Sequence, residues 1–245
     1  MASQLSQQGR RVGSGMAATG AVRPRVVSTV SEALGEIADG STILVGGWGG
    51  VGVPDLLIRG VADLAPQGVV VVSNNCGMGR PGDVGELFAA GIVARVITTF
   101  PTNPLATAFR DRVEAGEVEV ELVPQGTLAE RLRAAGSGLG GFFTPTAAGT
   151  ELAVGKESRT INNREHIFET PLAGDIAIVR AAQADPAGNL RFRYATRGFS
   201  PLMAIAGLVT IVQADELVPL GSIAPDDVHL PGIFVDRIVA GGQEQ

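Results

Sequence analysis

Several residue types are scarce in this chain of 245 residues, and each shortage excludes a class of protein. Cys76 is the only cysteine, so an internal disulfide is impossible and a cysteine-based metal site is not expected. Aromatic residues make up 4% of the chain, so the core must consist of aliphatic side chains. No run of about 18 or more apolar residues occurs, so we predict no membrane-spanning helix and no membrane partner.

Positive charge is also in short supply. Arginine and lysine total 19 against 25 acidic residues, which gives a formal net charge of −6. This balance counts against nucleic acid as a partner, because nucleic-acid-binding proteins carry a surplus of basic residues. An anionic substrate would need hydrogen-bond donors in its binding site, because the net negative charge of the protein does not attract it.

The first residues of the chain differ from the rest. Residues 1–24 are rich in Gln, Ser, Gly and Arg and show no helical or strand periodicity, so we interpret them as a disordered leader. They lack the compact apolar segment of a secretory signal, and we therefore expect a cytoplasmic protein. Residues 25–241 are predicted to form a single domain, because no linker or sequence repeat divides them.

Small and aliphatic residues are abundant instead. Hydrophobic residues make up 45% of the chain and glycines number 34, which indicates a sizeable core and many tight turns. Short apolar runs alternate with helical patterns, and this alternation predicts an α/β fold with a single open, mostly parallel sheet flanked by helices. The predicted strands are residues 42–45, 69–72, 94–99, 118–123, 176–181, 190–194 and 209–212. The predicted helices are residues 54–64, 84–90, 105–115, 127–135 and 201–206.

The helix predicted for residues 127–135 has the clearest boundaries. Thr127 is a suitable N-cap, and Glu130 stands three residues later, which is the spacing of a capping box. Gly136 follows as a C-terminal stop. Residues 136–150 are rich in Gly, Thr and Pro, and we expect them to form a loop.

A glycine-rich motif follows the first long apolar strand. Residues 47–52 match the pattern G-x-G-x-x-G and precede a predicted helix, as a dinucleotide-binding loop does. Such glycines allow the backbone to approach a phosphate or a carbonyl group, and a helix start offers free N–H groups. The same pattern is compatible with a tight turn that binds nothing, or with a ligand of another kind.

Two features weaken the dinucleotide interpretation. A nicotinamide enzyme needs an acidic residue about 20 residues after the loop, at the end of the second strand. Residues 73–75 occupy that place, and they are Ser-Asn-Asn. Asp55 also stands in the first turn of the predicted helix, where its carboxylate would repel a bound pyrophosphate.

A longer segment around these glycines resembles a known signature. Residues 39–54 read Asp-Gly-Ser-Thr-Ile-Leu-Val-Gly-Gly-Trp-Gly-Gly-Val-Gly-Val-Pro. They resemble the pattern of family I CoA-transferases: Asp/Asn-Gly, three apolar residues, Gly-Gly-Phe, then Gly-x-Pro. Trp48 stands where the family has phenylalanine, so the aromatic bulk is kept. The resemblance covers roughly residues 26–240, with further similar segments at 73–75, 123–131, 143–146, 149–150, 188–190 and 226–232.

The resemblance implies a heteromeric transferase. In this family an A half carries the Gly-Gly-Phe loop, and a B half of similar fold carries the catalytic glutamate in a Ser-Glu-Asn-Gly context. No Glu-Asn dipeptide occurs in this chain, so the nucleophile is expected on a separate B subunit, in an A2B2 or similar hetero-oligomer. The implied ping-pong reaction passes through a mixed anhydride and a glutamyl-CoA thioester. The CoA thioester is a substrate, and neither a cofactor nor a metal is implied.

The candidate site residues are selected by their position in the predicted fold and by the resemblance to the family. Gln125 lies in a Pro-Gln-Gly-Thr stretch that the family places beside the active site, and its amide could donate to a developing oxyanion. Asn74 and Asn75 end a predicted strand at the carboxyl edge of the sheet, where one of them could bond a substrate carboxylate or the thioester carbonyl. The residues expected to line the cleft facing CoA or the catalytic glutamate are Gly46, Gly47, Trp48, Gly49, Gly50, Val51 and Gly52.

Other polar or reactive residues are interpreted as structural. Cys76 is interpreted as a small buried hydrophobic residue rather than a nucleophile. His166 and His229 have no partners at metal-ligand spacing, so we expect no metal at either. Glu119 and Glu121 alternate along a predicted strand and are interpreted as its solvated face.

Two acceptor substrates are compatible with the resemblance. The chain resembles bacterial A subunits that transfer CoA from succinyl-CoA to 3-oxoadipate, in aromatic catabolism by the β-ketoadipate route, or to acetoacetate, in ketone body metabolism. Residues 135–138, 155–157 and 231–235 favour 3-oxoadipate. Two hypotheses of other classes are a nicotinamide-dependent dehydrogenase, which rests on the glycine motif alone, and a non-catalytic ligand-binding protein with the same fold.

Overall fold

A nine-stranded sheet runs through residues 24–241, the part of the chain that the computed structural model describes. Its strands are β1 (Arg25–Val27), β2 (Thr42–Val45), β3 (Val69–Asn75), β4 (Val93–Phe100), β5 (Glu119–Leu122), β9 (Gly174–Ala184), β10 (Leu190–Arg191), β11 (Gly207–Leu217) and β12 (Arg237–Ala240). The order across the sheet is β1-β12-β11-β9-β2-β3-β4-β5, with parallel neighbours, and β10 pairs antiparallel with the end of β9. The predicted open, mostly parallel α/β fold is confirmed.

Helices cover both faces of this sheet, and the strands are apolar on both faces for that reason. The helices are α1 (Val30–Leu34), α2 (Asp55–Leu64), α3 (Gly85–Ala89), α4 (Thr107–Glu114), α5 (Gln125–Gly136) and α6 (Ser200–Ala206). Ile43 and Val45 belong to one buried cluster, whereas Leu44 between them belongs to the cluster on the opposite face. Helices α1–α4 contribute to the first cluster, and α5 and α6 to the second.

The connectivity changes direction beside β2. From β2 the chain moves outward through β3, β4 and β5, and it later returns to β9 on the other side of β2. Loops that leave the carboxyl ends of β2 and β9 therefore part in opposite directions and leave a crevice between them. The crevice lies at the carboxyl edge of the sheet, which is where open α/β sheets bind ligands.

A small antiparallel sheet projects from the large one, and the sequence did not predict it. It consists of β6 (Phe142–Thr144), β7 (Ser158–Ile161) and β8 (Arg164–Glu169), in the order β6-β8-β7. The expectation that residues 136–150 form only a loop is therefore wrong for β6. These strands are short and largely solvent-accessible, so they lack the apolar runs that identify the large sheet.

Two element boundaries also differ from the predicted ones. Helix α5 begins at Gln125 after Pro124, and Thr127 is buried inside it, so the predicted N-cap role of Thr127 is wrong. The strand predicted for residues 190–194 pairs only at β10, and a 3-10 turn follows at Tyr194–Arg197.

Residues 1–23 lie outside the described part of the chain, and with them all but the last residue of the predicted leader. Pro24 is buried, and β1 begins directly after it. None of the helices between residues 24 and 241 combines the length and the apolar character that crossing a bilayer requires.

Candidate functional site

The glycine motif forms a short hairpin at the carboxyl end of β2. Gly46 donates its N–H to the carbonyl of Ile178 on β9 over 2.9 Å, and this bond extends the sheet by one residue. Trp48 and Val51 then exchange both backbone hydrogen bonds, at 2.9 and 3.0 Å. Gly49 has a φ of +58°, as the first central residue of a type II′ turn requires. The motif thus turns back on itself before helix α2 begins, and we call residues 46–52 the glycine hairpin.

The two asparagines at the end of β3 hold the tip of the glycine hairpin. Asn74 accepts from the N–H of Gly49 through Oδ1 at 3.4 Å, and Asn75 donates from Nδ2 to the carbonyl of Gly49 at 3.1 Å. The remaining amide groups are engaged as well: Asn74 Nδ2 donates to Thr99 and Asn75 Oδ1 accepts from the N–H of Gly77, each at 2.9 Å. Both side chains are buried. They therefore hold Gly49 by both of its backbone polar groups.

The glycine hairpin packs against the 3-10 turn Tyr194–Arg197 without any intervening side chain. A Cβ on Gly52 would lie 2.7 Å from the Cα of Thr196, which is closer than real contacts allow, and Gly52 has a φ of +69°. A Cβ on Gly198 would similarly lie 2.9 Å from the Cβ of Trp48. Glycine is therefore required at position 52 both for its backbone conformation and for the close approach.

Trp48 and Gln125 border a shallow groove on one side of the glycine hairpin. The indole of Trp48 stacks on the ring of Phe199, with centroids 6.0 Å apart and planes 14° apart, yet it remains 42% exposed. The groove has a volume of about 250 Å³. The amide of Gln125, exposed at the first turn of α5, makes no hydrogen bond within residues 24–241. Gln125 and Trp48 of the glycine hairpin, both predicted from the sequence, thus lie together, and Phe199 is an additional member that the sequence did not reveal.

A larger cleft, of about 470 Å³, opens on the other side of the glycine hairpin. Arg180 on β9 lies in it and donates to Asp55 at 2.8 Å and to Asp215 at 2.7 Å. Arg80 and Arg193 also line the cleft. Sequence reasoning missed Arg80 and Arg180, because loops and a distant strand bring them to the hairpin. The cleft is lined by Gly50, Val51, Gly52, Arg80, Arg180, Ala181, Ala182, Arg193, Tyr194, Ala195, Thr196, Asp215 and Glu216.

Comparison with known proteins identifies the family. Residues 27–241 match the family model described as coenzyme A transferase. The chain belongs to the coenzyme A transferase family. It is 44% identical to the A subunit of the 3-oxoadipate CoA-transferase of Pseudomonas putida, over 88% of this chain and 93% of that one. It is 43% identical to the A subunit of the probable succinyl-CoA:3-ketoacid coenzyme A transferase of Bacillus subtilis (strain 168), over 90% and 92%.

Solved structures of coenzyme A transferases share the fold. Glutaconate coenzyme A-transferase from Acidaminococcus fermentans superimposes with a TM-score of 0.76 at 19% identity, covering 89% of this chain and 75% of that one. An acyl-CoA transferase from Escherichia coli O157:H7 gives 0.75 at 24% identity, covering 89% and 47%. The predictions of the family and of a CoA-transferase enzyme are confirmed by these comparisons together.

The coenzyme A transferase fold differs from a dinucleotide-binding fold at the start of α2. In a dinucleotide-binding protein the N-terminal N–H groups of this helix would face a pyrophosphate. Here Gln213 accepts from the N–H of Leu56 at 3.0 Å and donates to Asp55 at 2.9 Å. The protein's own side chains therefore occupy the helix start, and the G-x-G-x-x-G motif serves the hairpin instead.

The residues interpreted as structural are held by internal contacts. Burial raises the pKa of the Cys76 thiol to about 12, so Cys76 is not a thiolate at neutral pH. His229 accepts from the N–H of Phe192 through Nδ1 at 3.0 Å, and burial, followed by Arg197, lowers its pKa. No group of three potential metal ligands occurs within the described residues.

Glu121 is not part of a solvated strand face, in contrast to the interpretation from the sequence. It accepts from Arg131 at 2.7 Å and from Arg95 at 2.6 Å. Burial acts to raise the pKa of Glu121, but the hydrogen bonds and charges of Arg131 and Arg95 outweigh it and lower the pKa below its ordinary value. Glu119 is exposed as expected.

Proposed function

We propose that this chain is the A subunit of a heteromeric enzyme that moves CoA from succinyl-CoA to 3-oxoadipate. The observation that carries the proposal is the 44% identity to the A subunit of a 3-oxoadipate CoA-transferase over nearly the whole of both chains. A 3-oxo acid without a second carboxylate, such as acetoacetate, is the second candidate acceptor, favoured by the 43% identity to a succinyl-CoA:3-ketoacid transferase subunit. The proposed setting is cytoplasmic, and the proposed assembly is an A2B2 or similar hetero-oligomer that includes a B subunit.

The geometry suggests separate roles for the candidate site residues. Gln125 has an amide free to donate a hydrogen bond, so we assign to it the stabilisation of the oxyanion that forms when a carboxylate attacks the thioester. Asn74 and Asn75 act as positioning residues, because their amides hold Gly49 rather than face the cleft. The glycine hairpin would then present a narrow, side-chain-free surface to the acyl group or to the catalytic glutamate.

The proposed nucleophile is a glutamate of the B subunit. Glu216 is the only glutamate among the described residues that line the cleft, and it accepts a hydrogen bond from Gln183 at 2.8 Å on the exposed end of β11. Its surroundings are solvated, whereas a glutamate that forms a thioester needs protection from water. We propose that the B subunit provides both the nucleophile and this cover, and that the reaction needs no cofactor besides the CoA substrate.

The proposal is tested by co-expressing this chain with its B subunit, with CoA transfer from succinyl-CoA as the measured quantity. We expect activity in the complex, none in this chain alone, and a higher kcat/KM for 3-oxoadipate than for acetoacetate. A higher value for acetoacetate would select the second candidate acceptor. A stable complex without transfer to either acceptor would support a non-catalytic binding protein, and transfer by this chain alone would contradict the placement of the nucleophile.

Two variants of this chain sharpen that experiment. Gln125→Leu should lower kcat about 100-fold in the complex, because one preorganised oxyanion donor contributes roughly this much. Glu216→Gln should leave kcat unchanged and should still allow trapping of the enzyme-bound CoA thioester. Loss of the thioester in Glu216→Gln would place the nucleophile on this chain.

A further inference from the structure

A buried carboxylate organises the loop that follows β3. Asp83 is 6% exposed and accepts hydrogen bonds from the backbone N–H groups of Met78 at 2.6 Å, Arg80 at 2.9 Å and Gly85 at 2.7 Å. Three backbone donors satisfy this carboxylate without any help from a basic side chain. The loop is therefore fixed in shape, and the guanidinium of Arg80 is left available for another partner.

The loop directs Arg80 to the glycine hairpin. Arg80 Nη1 lies 3.1 Å from the position that a Cβ on Gly50 would occupy, so the guanidinium rests on the hairpin where a side chain is missing. Arg80 is exposed and lines the 470 Å³ cleft together with Gly50, Val51 and Gly52. Arg80 therefore lies over the part of the cleft wall that the glycine hairpin forms.

Several charged groups of the cleft already have partners. Arg180 is neutralised by Asp55 and Asp215, and Glu216 accepts from Gln183. Arg80 and Arg193, by contrast, form no ion pair with a carboxylate within residues 24–241, and Arg80 is the one whose guanidinium lies over Gly50. An exposed guanidinium that has no internal partner and lines a cleft is suited to bind an external anion, because its planar fork matches a carboxylate or a phosphate.

We propose that Arg80 binds the distal carboxylate of a dicarboxylic acyl group, which makes it a specificity-determining residue of the transferase. This inference rests on the proposed function. Gln125 borders the groove on the Trp48 side of the glycine hairpin, and Arg80 contacts Gly50. Gln125 and Arg80 thus border the hairpin on its two sides. In the proposed arrangement the acyl group lies across the hairpin, with its reacting carbonyl towards Gln125 and its distal carboxylate towards Arg80.

The phosphates of CoA are the other anions that the substrate could offer to Arg80. The test therefore uses the complex with the B subunit, in which two quantities are measured for Arg80→Gln: kcat/KM for 3-oxoadipate with succinyl-CoA as donor, and the dissociation constant of free CoA by calorimetry. We expect kcat/KM to fall roughly 10- to 100-fold, the effect of losing a charge-assisted hydrogen bond, while the dissociation constant of CoA stays unchanged. Arg80→Lys, which keeps the charge but not the fork, should recover part of the loss.

The control variant is Arg110→Gln on α4, an exposed arginine outside the cleft, and it should behave like the wild type in both measurements. A weaker affinity for free CoA in Arg80→Gln would overturn the inference, because it would assign Arg80 to the CoA phosphates. An unchanged kcat/KM would also overturn it. Both results would leave the proposed function intact, whereas a wild-type complex that transfers no CoA would refute the proposed function itself.

Discussion

The glycine hairpin and the small antiparallel sheet are held in place by different kinds of interaction. The hairpin is fixed by the neutral amides of Asn74 and Asn75 and by close backbone contacts. The small sheet is attached through a buried carboxylate, Glu169, which pairs with Lys156 at 2.5 Å and lies 4.0 Å from Arg131. The geometry of the candidate site therefore depends on close packing and neutral hydrogen bonds, while the attachment of the small sheet depends on ion pairs. Substitutions in the two regions should therefore have separable effects.

The largest effect is expected at the closest contact of the hairpin. Gly52→Ala should abolish most of the transferase activity, with kcat/KM at least about 100-fold lower, because a Cβ there collides with the backbone of Thr196 and displaces the hairpin. The measurement is steady-state kinetics of the complex. Gly116→Ala is the matched control: Gly116 has a φ of +71°, similar to the +69° of Gly52, but nothing lies within 4 Å of its Cβ position. Equal activities of the two variants would contradict the prediction, because they would show that the close approach of Gly52 to Thr196 does not matter for the reaction.

The next effect concerns stability rather than activity. Glu169→Gln should lower the free energy of unfolding by about 2 kcal/mol, because Lys156 loses its charge-assisted hydrogen bond, while Arg131 keeps its ion pair with Glu121. Urea denaturation measures this change. Glu157→Gln, which breaks an exposed pair with Arg159, should have almost no effect. If Glu169→Gln were as stable as the wild type, the small sheet would not depend on its buried charge.

A smaller change at the asparagines that hold Gly49 should affect kcat. Asn75→Asp replaces the donor to Gly49 by a carboxylate oxygen that repels its carbonyl, so we expect kcat to fall about tenfold and the free energy of unfolding to fall by about 1–2 kcal/mol. Asn189→Asp creates a similar repulsion with Asp185 outside the cleft and should leave kcat unchanged. A normal kcat for Asn75→Asp would mean that the position of Gly49 does not matter for the reaction.

Glu121 of the large sheet shares Arg131 with Glu169, and the contribution of its ion pairs to stability can be read from pH. Because the pKa of Glu121 is lowered in the folded protein, its ion pairs stabilise the fold above the ordinary pKa of 4.5, and this contribution is lost as the pH falls through the lowered value. The stability difference between the wild type and Glu121→Gln should therefore be present at pH 7 and shrink below about pH 4.5. A difference that stays constant down to pH 3 would contradict an ionic role for Glu121.

The smallest effect is expected at Trp48. Trp48→Phe restores the residue typical of the signature and keeps a ring that can stack on Phe199, so kcat should change by less than about threefold. Trp48→Ala, which removes the ring, should lower kcat more strongly if the ring shapes the groove beside Gln125. Equal kinetics for both variants would exclude a role for the ring.

The large sheet could be predicted because its strands contain continuous apolar runs of the length that is typical of buried strands. Residues 42–45 and 69–72 were placed correctly, since burial on both faces leaves a continuous aliphatic segment. The small sheet could not be predicted in the same way, because Phe142–Thr144 is short and half-buried, without alternation. Helix α5 started earlier than predicted because Pro124, rather than a polar cap, precedes its first residue.

The proximity of the predicted site residues followed from the sequence, but their contacts did not. The signature around residues 46–52 and the position of Asn74 and Asn75 place both segments at the carboxyl edge of β2 and β3. Nothing in the sequence indicates that both asparagine amides bond the same glycine, because that contact depends on the pairing register. Arg80 gave no signal either, since its placement follows from the backbone bonds of Asp83.

The pairing of β1 with β12 has a consequence for how the protein is made. Val26 lies opposite Ile238, so the first and the last strand of the described chain are neighbours in the sheet. As the polypeptide leaves the ribosome, β1 has no partner until nearly the whole domain has been synthesised. Such long-range pairing slows folding and leaves a strand edge exposed meanwhile. The nascent chain should therefore complete its sheet only after β12 has been synthesised and can insert between β1 and β11.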